Sequence, residues 1–311
     1  MAMKLLVPVC ILASLHLCCS LRSPKVAEDD AVEQSEAYAF MLYGAESHRL
    51  GLTTAIYSIR EFDQKRPIVV LTTHASPEMR EDMAKLKADV IERPPVKSPA
   101  YCTKEVGEGK QRLTNSFFKM HVWNLTQFRT VLYLESDMLF RRPLTELFSR
   151  FREVPGDDAL MIAGQGDRPC SEGDFRPSFR RRGWNTGIMA IRPSKHFAER
   201  YAQLLASGWK FPCFGGSQEF ENILFHETLQ SQKGQSHLIC MPIKFNCKGN
   251  SCAQDAVVVH WTGERKPWDG AAGFRYYLAD WEKQRRAASQ HAGIKMVAAE
   301  DPDPEAKHRT K

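Results

Sequence analysis

Two short stretches carry side chains able to hold a cation and a phosphate group. Glu135-Ser136-Asp137 follows the apolar run Val131–Leu134, and His260 follows Val257–Val259. Carboxylates separated by one residue can bind a hard cation and leave positions open for phosphate oxygens. A histidine ligand beside them shifts the preference from magnesium toward manganese. Six residues after His260 comes Lys266, in Gly263-Glu264-Arg265-Lys266-Pro267-Trp268. A lysine on a loop kinked by Gly and Pro suits a phosphate partner. Taken singly, an E-x-D after a strand is more commonly a helix-capping loop, and a histidine at a strand end more commonly a surface residue. Their surroundings decide between these readings. The cluster Cys240, Cys247 and Cys252 has neither a CxxC pair nor a partner His pair, which argues against structural zinc. Arg180-Arg181-Arg182 reads as a solvated loop before it reads as a grip on an acidic acceptor. Asn124-Leu125-Thr126 is a glycosylation sequon falling on a predicted helix.

These groups need a frame, and the chain alternates strand and helix patterns. Tyr38–Leu42 reads as a strand ending in Tyr43-Gly44, and Leu52, Ala55, Ile56 and Ile59 recur at helical spacing. Ile68–Leu71 is a buried-type strand. Ser76-Pro77 opens a helix with Met79, Met83 and Leu86 on one face, and Val90-Ile91 is a short strand. This βαβαβ run implies an α/β fold with a mostly parallel sheet covered by helices. After a loop over 93–114, Phe118, Val122 and Leu125 mark a helix, and Val131–Leu134 is the clearest buried strand. Further strands are read at Ala159–Ala163, Ile188–Ile191 and Val257–Val259, with helical faces at Leu144–Phe151 and Phe197–Leu204. In open parallel sheets, ligands bind beyond the carboxyl ends of the strands. Both chemical stretches sit at such ends.

The composition bounds the function class. The 311 residues allow one large domain or two small ones at about 100–200 residues each. Charged residues at 26% and apolar residues at 43% are ordinary for a globular chain and exclude multi-span membrane and collagen-like classes. The net charge of +6 is mild and spread along the chain, so it gives no nucleic-acid footprint. Lys4, the apolar run Leu5–Leu17 and the small residues Cys18, Cys19 and Ser20 have the order of a secretory signal peptide, with a signal anchor as the alternative. The expected organisation is a leader over 1–20, a linker over 21–36, one catalytic domain over 37–286 and a disordered polar tail over 287–311. Six cysteines remain after the leader; they allow fifteen pairings, and an oxidising lumen permits bridges.

Four blocks place the chain beside a known family. Phe118-Lys119-Met120-His121-Val122-Trp123 followed by Val131-Leu132-Tyr133-Leu134-Glu135-Ser136-Asp137 resembles the metal-site segment of glycogenin and the other family-eight glycosyltransferases. Trp184-Asn185-Thr186-Gly187-Ile188 is similar to that family's F-N-S-G-V strand. Gly215-Gly216-Ser217-Gln218 is similar to its G-G-D-Q, and Val258-Val259-His260-Trp261-Thr262-Gly263-Glu264-Arg265-Lys266-Pro267-Trp268 to its V-H-F-x-G-x-x-K-P-W. The resemblance implies a GT-A fold, a single Rossmann-like domain that uses a nucleotide sugar, usually a UDP-sugar, with Mn²⁺ or alternatively Mg²⁺. It implies Asp137 and His260 as metal ligands and Glu135 in the place of the first acid of D-x-D, with Ser136 between the two acids. It implies Lys266 and Gly263 on the diphosphate, and Gly44 and His48 near the uridine. Lys119, Asn185 and Gln218 are expected to face the sugar, with Ser217 beside them.

Three departures from the pattern stand out. Glu135 is one methylene longer than the usual Asp. Ser217 replaces the acid of G-G-D-Q. The stretch between Asn246 and His260 lacks the tyrosine that glycogenin glucosylates on itself. Serine is a poor nucleophile without an adjacent base, and Glu221 lies on the same helix side only one turn away. The expectation is therefore a front-face transfer in which Ser217 only orients the sugar. The implied function is a retaining transfer of a hexose or pentose to a glycan, protein or small-molecule acceptor, in the Golgi or ER lumen or outside the cell. The membrane enters only if the leader stays as an anchor. The alternative is a catalytically weak relative that binds a nucleotide sugar or glycan without turnover.

Overall fold

The computed structural model describes residues 31–43, 47–102, 113, 115–156, 159–164, 184–213, 216–230, 238–248, 252, 254–263, 265–269 and 275–294. The leader, Gly44, Arg180–Arg182 and residues 295–311 lie outside these. Its centre is a seven-stranded sheet. In chain order the strands are β1 (Glu36–Leu42), β2 (Ile68–Thr72), β3 (Ala88–Glu92), β4 (Thr130–Leu134), β6 (Leu160–Gly164), β7 (Trp184–Ile191) and β8 (Leu238–Met241). A separate two-stranded ribbon pairs β5 (Met138–Phe140) with β9 (Val258–His260). The spatial order of the large sheet is β3-β2-β1-β4-β7-β6-β8. β1 to β4 run parallel, β7 is antiparallel to both β4 and β6, and β8 is parallel to β6.

Both faces of the sheet are covered, which is why its strands read as near-continuous apolar runs. Along β1 the two-residue period sends Tyr38, Phe40 and Leu42 to one core and Ala37 and Ala39 to the other. The first core is closed by α1 (Ser47–Arg60), α2 (Pro77–Lys85) and α3 (Thr145–Arg152). Ser76 caps α2 by accepting from the Met79 N–H, with Pro77 at the first helical position. The second core lies under a 3₁₀ helix (Ser116–Asn124), α4 (Lys195–Ala206) and α5 (Ser217–Gln230). The last helix, α6 (Arg275–Ala292), packs on α1 and buries Tyr277 and Trp281 in a third cluster with Trp261 and Trp268. Among the described residues, no helix is long and apolar enough to cross a membrane.

Several boundaries differ from the sequence reading. The segment of Phe118 and Val122 is 3₁₀ rather than α, and the sequon's Leu125 and Thr126 lie beyond its end. β7 begins at Trp184, so Asn185 and Thr186 are strand residues. Glu36 opens β1 rather than closing a linker, because Arg66 and Arg152 pair with its buried carboxylate at 2.9 and 3.2 Å. The domain is expected to end at 286, but its last helix runs to Ala292, and Ala288 and Ile294 are buried, so residues 287–294 belong to the folded part. Cys102 pairs with Cys213, Cys247 with Cys252, and Cys240 is also disulfide-bonded.

Candidate active site

Beyond the carboxyl ends of β1 and β4 lies a cavity of about 570 Å³. His48, Lys119, Glu135, Ser136, Asp137, Asn185, Ser217, Gln218, Gly263 and Lys266 all line it. Ten of the sequence-derived site residues therefore meet in one place. His260 stands directly behind them, fully buried. Gly44 is outside the described residues.

The β5–β9 ribbon brings the acids and the histidine together. Met138 pairs with His260, and the Trp261 N–H donates to the Asp137 carbonyl at 3.0 Å. Glu135, just past β4, donates its N–H to the Gly187 carbonyl on β7 at 3.1 Å. His260 Nε2 then lies 3.1 Å from Glu135 Oε2 and 3.3 Å from Asp137 Oδ1. One ligand atom from each of the three residues falls within 4.8 Å of the others. Asn246 Oδ1 sits 2.8 Å from His260 Nδ1 and accepts a proton held there, so a neutral His260 would offer the Nε2 lone pair to a cation. Asn246 is itself held through its Nδ2, which donates to Asn185 Oδ1 at 3.0 Å.

The donor set fits a hard divalent cation. Two carboxylates and an imidazole are the ligand types expected. Asp137 Oδ1 is buried without a hydrogen-bond partner, an unmet acceptor where an ion would sit. Gly187 keeps the space open: a Cβ there would lie 2.6 Å from both Glu135 Oε2 and His260 Cε1.

Electrostatics tie the cluster together. Burial pushes the Asp137 carboxyl up, but Lys266 and His260 outweigh it and hold Asp137 well below the usual carboxylate range. Burial likewise opposes the ionised form of Glu135, yet the His260 hydrogen bond and Lys119 hold it low. His260 is desolvated, which disfavours its cation, but Asp137 and Glu135 raise its pKa overall.

Each lysine is engaged by the protein. Lys266 Nζ pairs with Asp137 Oδ2 and donates to the Trp261 carbonyl at 3.0 Å. It is therefore docked on a cluster acid. Lys119, expected to face the sugar, lines the cavity and donates to the Thr186 carbonyl at 2.9 Å and the Thr186 hydroxyl at 3.0 Å. Gln218 Oε1 accepts from Asn185 Nδ2 at 3.2 Å and from the Thr186 N–H at 3.3 Å, so the group it offers a ligand is its Nε2 donor. His48 packs edge-on to Trp268, with ring centroids 5.3 Å apart.

With this geometry in view, the profile of glycosyl transferase family 8 matches residues 40–272. The chain belongs to glycosyl transferase family 8. The family 8 chain is 24% identical to glycogenin-2 of Homo sapiens over 269 residues, covering 83% of this chain and 48% of that protein. It is 23% identical over 309 residues to an Arabidopsis thaliana protein whose name assigns it provisionally as UDP-glucuronate:xylan alpha-glucuronosyltransferase 3, covering 94% of this chain and 44% of that one. The chain thus spans less than half the length of these curated relatives. Among solved structures, galactosyltransferase LgtC with donor and acceptor sugar analogues superposes with a TM-score of 0.54 at 15% identity, over 85% of this chain and 98% of that one. That likeness shows the fold, which is the GT-A fold expected.

Some site residues of the family 8 chain carried no assigned role in the sequence reading. Gly187 did carry a signal, since a glycine inside a strand marks a close backbone approach. Gly51 on α1 is similar: a Cβ there would meet the Trp268 ring at 2.1 Å and the Ser136 carbonyl at 2.8 Å. Asn246 and Thr186 gave no signal, because their roles depend on partners distant in sequence.

Proposed function

We propose that this chain moves a hexose or pentose from a UDP-sugar to an acceptor hydroxyl with retention of configuration, using Mn²⁺, in the secretory pathway. The observation that carries the reading is the Glu135–Asp137–His260 cluster facing a cavity lined by Lys119, Asn185, Gln218 and Lys266. Two ionised carboxylates alone would repel a diphosphate. Held by Glu135, Asp137 and His260, a divalent cation supplies Lewis-acid neutralisation of the leaving diphosphate. The His ligand favours Mn²⁺, with Mg²⁺ as the second choice. The UDP donor is supported by the name of the Arabidopsis relative.

The chain's own residues do the rest. Lys266 leaves Asp137 Oδ2 and turns its ammonium to the diphosphate. Gly263, at φ +96, gives the loop before it a turn that other residues rarely adopt. The Gln218 amide and Asn185 orient the sugar ring, and Ser217 offers it a hydroxyl. The acceptor oxygen bonds to the anomeric carbon on the face from which the diphosphate departs, and the acceptor proton passes to the departing phosphate oxygen. Charge is thus handled by fixed groups in a partly closed site, where such groups act strongly.

The secretory assignment is supported by the order of charged, apolar and small residues over 1–20 and by the disulfides Cys102–Cys213 and Cys247–Cys252, which fit an oxidising compartment. Ser217 favours a second reading, binding without turnover. UDP release from a panel of UDP-sugars with Mn²⁺ separates the two. Release supports transfer, whereas Mn²⁺-dependent binding with no release of UDP supports the second reading.

A further inference from the structure

Behind the cavity wall lies an acid that the chemistry above leaves unused. Glu221 lies on α5 one helical turn after Ser217 and is fully buried. Its Oε1 accepts from the Tyr201 hydroxyl at 3.2 Å. Its Oε2 has no hydrogen-bond partner and stands 3.5 Å from Lys119 Nζ. The Ser217 hydroxyl is near enough to favour the ionised acid but closes no hydrogen bond of ordinary geometry. Burial nevertheless holds the Glu221 carboxyl above its ordinary range. Phe220 and Leu224 on the same helix pack in the apolar core, so a leucine at 221 would bury more cheaply than a carboxylate.

The surroundings of this acid are closely packed and lead to the cation cluster. Gly216 takes φ +71, and a Cβ there would strike the Leu113 carbonyl at 2.4 Å. The next N–H, of Ser217, donates to Ser116 Oγ at 2.7 Å. Lys119 Nζ is paired with two acids, Glu221 Oε2 at 3.5 Å and Glu135 Oε1 at 3.7 Å. The order Glu221–Lys119–Glu135 therefore joins the helix below the cavity to the cluster at its wall.

We propose that Glu221 is a positioning residue for transfer, its buried carboxylate holding the Lys119 ammonium in place beneath the donor sugar. This role rests on the transfer reading above. Glu221 acts through Lys119 and does not line the cavity.

The test uses the full chain and the UDP-sugar that the wild type turns over. Glu221→Gln keeps the shape and removes the charge. Its kcat for UDP release is expected to fall about tenfold to a hundredfold, the worth of a hydrogen bond to a charged group. KM and the calorimetric affinity for UDP with Mn²⁺ should stay within about threefold, the pattern of an interaction made in the transition state. The double variant Ser217→Asp/Glu221→Leu moves the carboxylate one turn along the same helix side, and should turn over about tenfold faster than Glu221→Leu alone. Wild-type kcat in Glu221→Gln overturns the role. So does a loss that appears in UDP affinity or in the melting curve rather than in kcat, and so does a double variant no faster than Glu221→Leu. A wild type that releases no UDP from any UDP-sugar overturns the transfer reading itself, a result distinct from all of these.

Discussion

Replacing Gly187 with alanine should disable the cation site while leaving the fold standing. The new Cβ would lie 2.6 Å from Glu135 Oε2 and 2.6 Å from His260 Cε1, which is 0.8 Å inside the 3.4 Å where ordinary contact begins. Both contacts must be relieved. The Glu135 side chain is 35% exposed and can swing toward the cavity. His260 is fully buried and tied through Nδ1 to Asn246 at 2.8 Å, so its ring can only be pushed aside against that hydrogen bond. Alanine therefore expels Glu135 from the cluster and displaces His260 from its place beside Asp137. Disturbing even the groups that orient a ligand costs about tenfold to a hundredfold in metal affinity, so displacing a ligand should cost at least that. Overpacking a buried site costs about 1–3 kcal/mol, or about 2–10 °C in the melting temperature of the cation-free protein. Mn²⁺ titration followed by electron paramagnetic resonance reads the affinity, and circular dichroism reads the melt. A folded Gly187→Ala protein with wild-type Mn²⁺ affinity would refute the reasoning, because the glycine would then not be there to admit the ligands.

Other outcomes follow from the same geometry. Asn246→Ala frees His260 Nδ1 and should weaken Mn²⁺ binding about tenfold to a hundredfold with the fold intact; unchanged affinity would mean that Asn246 does not orient the ligand. In the cation-free protein, the raised pKa of His260 gives stability that is complete below the ordinary histidine value of about 6.5 and is lost as pH rises through the elevated one. The lowered values of Asp137 and Glu135 give stability that is complete above about pH 4.5 and is lost as pH falls. The cation-free melting temperature should therefore peak at about pH 5–6. Mn²⁺ needs a neutral His260, so the cation should raise the melting temperature more at about pH 7.5 than at about pH 5.5; the opposite order would count against His260 as a ligand. The purified protein should not glycosylate itself with UDP-glucose and Mn²⁺, since no tyrosine lies between Asn246 and His260. A sugar found on any of its tyrosines by mass spectrometry would contradict this.

What could be read from the chain was what short-range pattern encodes. Val131–Leu134 is buried on both faces, so its apolar run announces it, and the acids just past it fall where ligands bind in such sheets. His260 was legible for the same reason. The contact between Asp137 and His260 came from the family resemblance and not from local pattern, because it depends on two three-residue strands, β5 and β9, that meet from distant parts of the chain. Strands that short leave no periodicity to detect. Residues 287–294 looked like tail because only isolated residues there, such as Ala288 and Ile294, are apolar; burial against α1 and the first core decides their fate. Glu221 read as one acid among several near Ser217. Its burial comes from the way α5 packs on β7, which its spacing does not show. Lys119 lines the cavity, but its tie to Thr186 depends on a strand beginning at Trp184, earlier than the apolar run Ile188–Ile191 indicated.

The most direct test is calorimetric titration of UDP into the wild type and Asp137→Ala proteins, each with Mn²⁺ and with EDTA. Asp137 touches both His260 and Lys266, so the assignment of cation and diphosphate sites meets in this one residue. The expected result is UDP binding by the wild type with Mn²⁺, its loss in EDTA, and no Mn²⁺-dependent binding by a folded Asp137→Ala protein. UDP affinity that is the same in EDTA as in Mn²⁺, or that survives unchanged in Asp137→Ala, would contradict a nucleotide-sugar site built on this cluster.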